Sequence, residues 1–185
     1  MPSEAHVAKE RWFAFAGPVM RFLAARRRRG AADPASTPEA LRAGVYGSVL
    51  APLAGLPGTA IMKAALEGAF ASTVISRAAK ALMFAIVART LDCRTSETEA
   101  RKLLAVEGLD APEIERALAS LASNRLPPAE AKLLPWVRAT VHYQTPLIQG
   151  QTRALAEAIG PRAALEAIGV ASLANATVRL AMLAE

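Results

Sequence analysis

The 185-residue sequence predicts an all-α protein, with a helical domain over residues 37–185 preceded by an N-terminal arm over residues 1–36. Alanine makes up roughly a quarter of the chain and aromatic residues only 5%, which favours helices over strands. Capping residues, Pro and Gly recur at helix-like intervals, whereas no Asn-Gly turn joins two alternating segments. With 53% apolar residues, the chain can bury a sizeable core.

The N-terminal arm is basic and amphipathic. Residues 1–30 carry seven basic and two acidic side chains, whereas the remaining residues are close to neutral, so the net charge of +6 belongs mainly to the arm. We therefore expect no nucleic-acid partner. Its apolar residues recur at helical spacing and predict packing on the domain or on another subunit: Trp12, Phe15, Val19, Phe22 and Leu23. Membrane contact through residues 8–29 is the less favoured alternative.

Capping residues, prolines and glycines divide the domain into a series of predicted helices. Thr37 caps a first helix with Pro38 in its first turn, and its apolar stripe runs on to Val49 and Leu50. Ser96 with Glu99, and Asp110 with Glu113, are spaced as capping boxes. The remaining predicted helices cover residues 59–70, a central apolar helix over 77–91, 97–106, 111–121, one that begins at Pro127 and Pro128, 145–160 and 161–183.

Cysteine and histidine usage limits the chemistry. The chain has one cysteine, Cys93, and two histidines, His6 and His142, which lie far apart in sequence. An internal disulfide and a cysteine-rich zinc site are therefore excluded, and we expect no metal and no cofactor. The sequence shows neither a signal-peptide pattern nor an apolar run of the roughly 20 residues that a membrane span needs, so we expect a cytoplasmic protein.

Cys93 is the clearest candidate for reactive chemistry. It follows the central apolar helix and precedes the next one, whose positive end, together with Arg94, favours the nucleophilic thiolate. Asp92, Glu97 and Glu99 oppose this effect, so the sequence leaves the direction of the net shift open. The alternative, favoured by composition and capping alone, is that Cys93 is a small buried apolar residue.

Several segments in order resemble the alkylhydroperoxidase AhpD-like / carboxymuconolactone decarboxylase family. The first is the central helix that leads into Cys93-x-x-Ser96, and the second is Gly108-Leu-Asp-Ala-Pro-Glu113. Residues 128–134 resemble the family's "acid, Ala-Leu-Leu" helix, and residues 174–180 resemble its closing Asn-to-Arg-Leu helix. The resemblance covers about residues 38–183.

The resemblance implies an all-helical bundle that assembles through its long helices into a homotrimer, hexamer or dimer. It also implies peroxiredoxin-type antioxidant activity, in which a pair of cysteines reduces peroxide and a Glu and a His relay protons. Cys93 matches the first cysteine, whereas Ser96 stands where the peroxide-attacking cysteine would be. Ala100 and Ala81 fall at or near the positions of the two relay residues. The sequence therefore departs from the dithiol cycle.

Three functional hypotheses follow. The first is single-thiol peroxide chemistry at Cys93, resolved by an external thiol reductant. Its candidate catalytic residues are Cys93 and Ser96, and its candidate pocket residues are Arg89, Asp92 and His142. The second is a cysteine-independent, decarboxylase-like enzyme that binds a small organic acid through Arg89, Arg138 or Arg179. The third is a catalytically inactive oligomeric scaffold. For His142, the favoured interpretation is a partner of the helix C-terminus or an interface residue.

Overall fold

The computed structural model describes residues 37–56 and 58–183, so the predictions for the arm lie outside the described residues. The predicted all-α class is confirmed, because the described residues form helices and no strand. In chain order the helices are α1 (Pro38–Arg42), α2 (Gly47–Leu50), a 3₁₀ turn (Ala51–Leu53), α3 (Thr59–Ala71), α4 (Arg77–Thr90), α5 (Arg94–Val106), α6 (Ala111–Ser120), α7 (Pro128–Ala131), α8 (Leu133–His142), α9 (Thr145–Ile159) and α10 (Pro161–Met182).

Helix α4 is the centre of the fold, as its apolar sequence predicts. Ser76 caps it by accepting a hydrogen bond from the Ala79 amide at 3.2 Å. The ten consecutive residues 79–88 are all buried, because α5, α6, α8 and α10 pack around them. A helix that is apolar on every side is stable only when other elements cover it.

Helix α10 is the longest described helix. Among the described residues it is the one helix long and apolar enough to cross a membrane by length and composition. Eight of its residues are buried, and it packs on α3, α4, α8 and α9. The core helix of a folded domain meets the same criteria, so this finding by itself is weak evidence for a membrane span.

The first predicted helix is interrupted at Tyr46. Thr37 caps α1 as predicted, and its Oγ1 accepts a hydrogen bond from the Ala40 amide at 3.2 Å. Helix α1 ends at Arg42, however, and Tyr46, with a left-handed φ of 60°, is the N-cap from which α2 starts. Its ring is buried with a centroid 4.6 Å from that of Phe84 and 6.5 Å from that of Phe70. Packing of this aromatic cluster therefore overrides the continuous helical pattern.

One of the two predicted capping boxes is confirmed and the other is wrong. Asp110 and Glu113 cap α6 reciprocally. Ser96 does not cap α5, because the helix starts three residues earlier than predicted, with Cys93 at the N-cap position. The Cys93 amide donates to the Ala88 carbonyl at 2.9 Å, which turns the chain directly from α4 into α5. Ser96 thus becomes a buried residue of the first turn.

The end of the chain follows the predicted pattern with one extra break. The predicted helix after Pro127 is divided into α7 and α8 at Lys132. Helices α9 and α10 form where predicted, separated by Gly160.

A buried lysine connects three helices. Lys80 on α4 is fully buried, and its Nζ donates hydrogen bonds at 2.7 Å to the carbonyls of Ala69 on α3 and Ser72 just after it. The same Nζ lies 2.6 Å from Oε1 of Glu166 on α10. Glu166 also accepts a hydrogen bond from the Ser72 hydroxyl at 2.6 Å. The ammonium thus donates to two carbonyl oxygens and forms an ion pair with Glu166.

Candidate functional site

A cavity of about 420 Å³ lies among α4, α6 and α8, and we call it the arginine cavity. Two of the predicted pocket residues, Arg89 and His142, line it. Arg138, one of the predicted cationic anchors, lines it as well. The remaining wall is formed by Ile86, Thr90, Leu118, Ala119 and Leu121.

Arg89 is held in place by two carboxylates. Its guanidinium contacts Glu97 at 2.7 Å and Glu115 at 3.0 Å, and Arg101 pairs with the same two carboxylates. The hydrogen bonds that Arg89 donates to Glu115 and Glu97 raise its pKa. Those from Arg89 and Arg101 lower the pKa of the exposed Glu115 to about 2. The network ties α4, α5 and α6 together, and its carboxylates offset the charge of Arg89.

Arg138 and His142 differ from Arg89 in their charged neighbours. They are four residues apart on α8, so both side chains lie on the same face of that helix. Within residues 37–56 and 58–183, Arg138 forms no ion pair. Its side chain is exposed, so its guanidinium is open to solvent and to a ligand that enters the arginine cavity. A carboxylate is a suitable ligand, because its two oxygens match the planar fork of donors.

Two of the basic residues of the cavity lie at the C-terminal ends of helices. The C-terminal residues of α4, α6 and α8 all contribute to the wall, and helix C-termini carry partial negative charge. Arg89 and His142 occupy the last turns of α4 and α8, where a positive charge is stabilised. The predicted role of His142 as a partner of the helix C-terminus thus agrees with its position.

Cys93 and Ser96 lie together in a separate, buried cluster. The Cys93 side chain is 1% exposed, and its Sγ donates a hydrogen bond to Oγ of the fully buried Ser96 at 3.2 Å. Cys93 does not line the arginine cavity. Ala81 and Ala100, at the positions of the family's relay residues, are also fully buried. These alanines supply no group that could transfer a proton.

Tyr46 is a buried residue of the same core. Burial raises the pKa of its hydroxyl well above its ordinary value, and the negative charge of Glu99 raises it further. The Tyr46 Oη has no hydrogen-bond partner among the described residues. An unpaired buried hydroxyl costs about 1–3 kcal/mol of stability.

Asp92, the remaining predicted pocket residue, belongs to neither group. It occupies the turn between α4 and α5 with φ of 57°, and its side chain is exposed. The predicted site residues are therefore divided between the arginine cavity (Arg89, His142), the buried thiol cluster (Cys93, Ser96) and an exposed turn (Asp92).

Replacing Tyr46 by Phe should stabilise the protein. The substitution keeps the ring packed on Phe84 and removes the unpaired hydroxyl, so we expect the free energy of unfolding to rise by about 1–2 kcal/mol. Urea denaturation followed by circular dichroism measures the change. The exposed Tyr143 offers a matched control, because Tyr143→Phe should alter stability by less than about 0.5 kcal/mol. A less stable Tyr46→Phe protein would show that the hydroxyl has a partner.

Two residues of the interior are missing from the sequence-based site. Lys80 stands alone in the long apolar run of α4, and such a lysine in an otherwise buried helix is a readable signal for a buried ion pair. The sequence around Tyr46 does not indicate that its hydroxyl is buried. Its position is set by the left-handed turn from which α2 starts.

Comparison with known proteins assigns no family to this chain. No family model matches the sequence, and neither the curated proteins nor the solved structures contain a match.

Proposed function

We propose that the chain is a cysteine-independent enzyme that binds a small organic acid in the arginine cavity. One observation carries this proposal: Arg138, which has no ion-pair partner among the described residues, shares the cavity with His142 one helical turn away. A guanidinium and an imidazole at this spacing provide an anchor for a carboxylate and a group that transfers a proton.

The roles of the three basic residues differ. Arg138 binds a carboxylate that the substrate retains, whereas Arg89, fixed by Glu97 and Glu115, forms a rigid wall. In a decarboxylation, the carbon–carbon bond to a second carboxylate breaks, carbon dioxide leaves, and the resulting carbanion takes a proton. Protonated His142 supplies that proton and regains one from water. No step requires the Cys93 thiol.

The resemblance to the AhpD-like / carboxymuconolactone decarboxylase family supports this choice over the peroxidase. Decarboxylase-like members act without a redox cysteine, whereas the peroxidase cycle needs a second thiol where this chain has Ser96. Peroxide must also reach the attacking sulfur, and Cys93 is 1% exposed. Single-thiol peroxide chemistry, with its external reductant, therefore remains the second candidate.

Binding of small acids tests the proposal directly. Benzoate and succinate, titrated into the full chain by calorimetry, should bind, and Arg138→Ala should weaken binding about 10- to 100-fold because a charge-assisted contact is lost. Arg162→Ala is the matched control, since Arg162 is an exposed arginine on α10 outside this cavity and should leave affinity unchanged. The His142→Gln protein should still bind benzoate and succinate, but it should no longer catalyse the decarboxylation of a substrate.

Two results would contradict the proposal. The first is equal acid binding by the Arg138→Ala and Arg162→Ala proteins. The second is consumption of hydrogen peroxide, with a thiol reductant present, by the unmodified chain but not by Cys93→Ala, which would assign the activity to the thiol.

The predicted homo-oligomer is also part of our proposal. Large apolar side chains are exposed on two helices, with Ile61 on α3 exposed to 75% and Leu165 on α10 to 72%. Exposed apolar surface of this kind is typical of contacts between subunits. A monomer by light scattering would remove the basis for the scaffold alternative, whereas the arginine cavity, whose described wall lies within one chain, would be unaffected.

A further inference from the structure

A second and larger groove, of about 700 Å³, lies among α8, α9 and α10. It shares no lining residue with the arginine cavity, so its occupant is independent of the function proposed above. Its volume is within the range of sites that bind small molecules.

The groove is elongated and its walls are largely apolar. On α10 its lining residues extend from Ile168 to Arg179, which is about 16 Å at the helical rise of 1.5 Å per residue. Trp136 on α8 and Ile148 on α9 contribute further apolar surface. The Trp136 ring is fixed by a hydrogen bond from Nε1 to Thr152 Oγ1 at 3.0 Å. Such walls suit an extended alkyl chain.

Two arginines give the groove its charge. Arg179 at one end is positioned by a hydrogen bond from its Nη2 to the Val141 carbonyl at 3.1 Å, and Arg153 lines the groove from α9. Neither arginine forms an ion pair within the described residues. Both side chains are exposed, so the remaining donors of Arg179 are open to an anionic group, and the geometry of a carboxylate matches them.

The charge of the groove discriminates among occupants. The aromatic stripe of the N-terminal arm is apolar enough, but residues 1–30 are strongly basic and would be repelled by Arg153 and Arg179. A neutral apolar molecule would contact the walls but form no charged contact with either guanidinium group, both of which are exposed. A molecule with an apolar chain and one acidic group satisfies both the walls and the arginines.

We propose that this groove binds a medium-chain carboxylate. The carboxylate pairs with the guanidinium of Arg179, and the alkyl chain lies along Trp136, Ile148 and Ile168.

Fluorescence of Trp136 tests the proposal in the full chain. The sequence has two tryptophans, so Trp12→Phe makes Trp136 the sole reporter. Decanoate should change the emission saturably, and decanol should bind more weakly. Arg179→Ala should weaken decanoate binding about 10- to 100-fold while changing decanol binding less than threefold. Arg162→Ala is the control and should change neither, because Arg162 is an exposed arginine on α10 that lines neither the groove nor the arginine cavity.

A second variant separates ligand binding from a general loss of structure. Ser172 lines the groove and is exposed, and within the part of the chain that the structure describes its hydroxyl bonds only to the Ile168 carbonyl of its own helix. Ser172→Phe should therefore block decanoate and decanol alike while leaving the circular dichroism spectrum unchanged.

Three results would overturn the proposal. Decanoate and decanol binding with equal affinity, insensitive to Arg179→Ala, would remove the carboxylate contact. A tenfold gain in decanoate affinity on changing Phe15 and Phe22 to Ser would identify the arm as the occupant. Dissociation of an oligomer by decanoate, seen by light scattering, would identify a second copy of the chain instead.

Discussion

Replacing Lys80 by Met is expected to lower the free energy of unfolding by about 3–5 kcal/mol. Methionine has nearly the same shape, but it cannot donate to the carbonyls of Ala69 and Ser72 or neutralise Glu166. The carboxylate would remain among packed helices with one hydrogen bond, from the Ser72 hydroxyl. Breaking one partner of a buried ion pair is costly because the other charge is left uncompensated. Urea denaturation at pH 7 measures the loss.

Lys63 provides the matched control for this substitution. It also pairs with a glutamate, Glu67, four residues along the same helix, but this pair lies at the surface of α3. Pairs of that kind contribute about 0.3–0.5 kcal/mol, so Lys63→Met should change stability by no more than that. Equal losses in the Lys80→Met and Lys63→Met proteins would show that the buried pair has no special importance for the fold.

The same pair gives the protein a dependence on acid. Burial alone would raise the pKa of Glu166, but hydrogen bonds from Lys80 and Ser72 outweigh that effect and lower it. A carboxyl with a lowered pKa in the folded state stabilises the protein above its unfolded pKa, near 4.5, and this stabilisation is lost as the pH falls further. In Glu166→Gln this group no longer titrates, so the difference in stability between the two proteins should shrink below about pH 4.5.

The helical class follows from local rules that the sequence displays. Thr37 before Pro38, and Asp110 three residues before Glu113, are short-range signals whose outcome depends on the backbone amides next to them. The error at Ser96 arises because a contact across the α4–α5 junction, from the Cys93 amide to the Ala88 carbonyl, starts the helix earlier. Such a contact is set by how the chain turns and cannot be deduced from propensity.

The candidate site was only partly predictable for a similar reason. Arg89, Arg138 and His142 are chemically conspicuous residues, and each can be named from its charge and its position near a helix end. That they share one cavity depends on the packing of α4, α6 and α8. The sequence likewise places Cys93 near Ser96, but the burial of both depends on how the other helices pack around them, which no periodic pattern predicts.

Gly47 is the position at which the smallest possible side chain should cause a large defect. A Cβ atom added at Gly47 would lie 2.3 Å from the carbonyl oxygen of Arg42 and 2.6 Å from its carbonyl carbon. Both are backbone atoms of α1, so no rotamer change can relieve the contact, and α1 and α2 must separate. We expect Gly47→Ala to lower the free energy of unfolding by about 3 kcal/mol, the upper range for overpacking in a core.

Gly68 provides a matched control, because an alanine at this position has free space around its Cβ atom. It lies inside α3, and an added Cβ meets no atom within 4 Å, so Gly68→Ala should raise stability by about 0.5–1 kcal/mol through helix propensity alone. Because Tyr46 immediately precedes Gly47, displacement of α2 should also disturb the Tyr46 ring against Phe84, which near-ultraviolet circular dichroism reports. A Gly47→Ala protein with unchanged stability and an unchanged aromatic signal would mean that α1 and α2 are not packed as closely as described. The left-handed turn at Tyr46 would then lose its structural explanation.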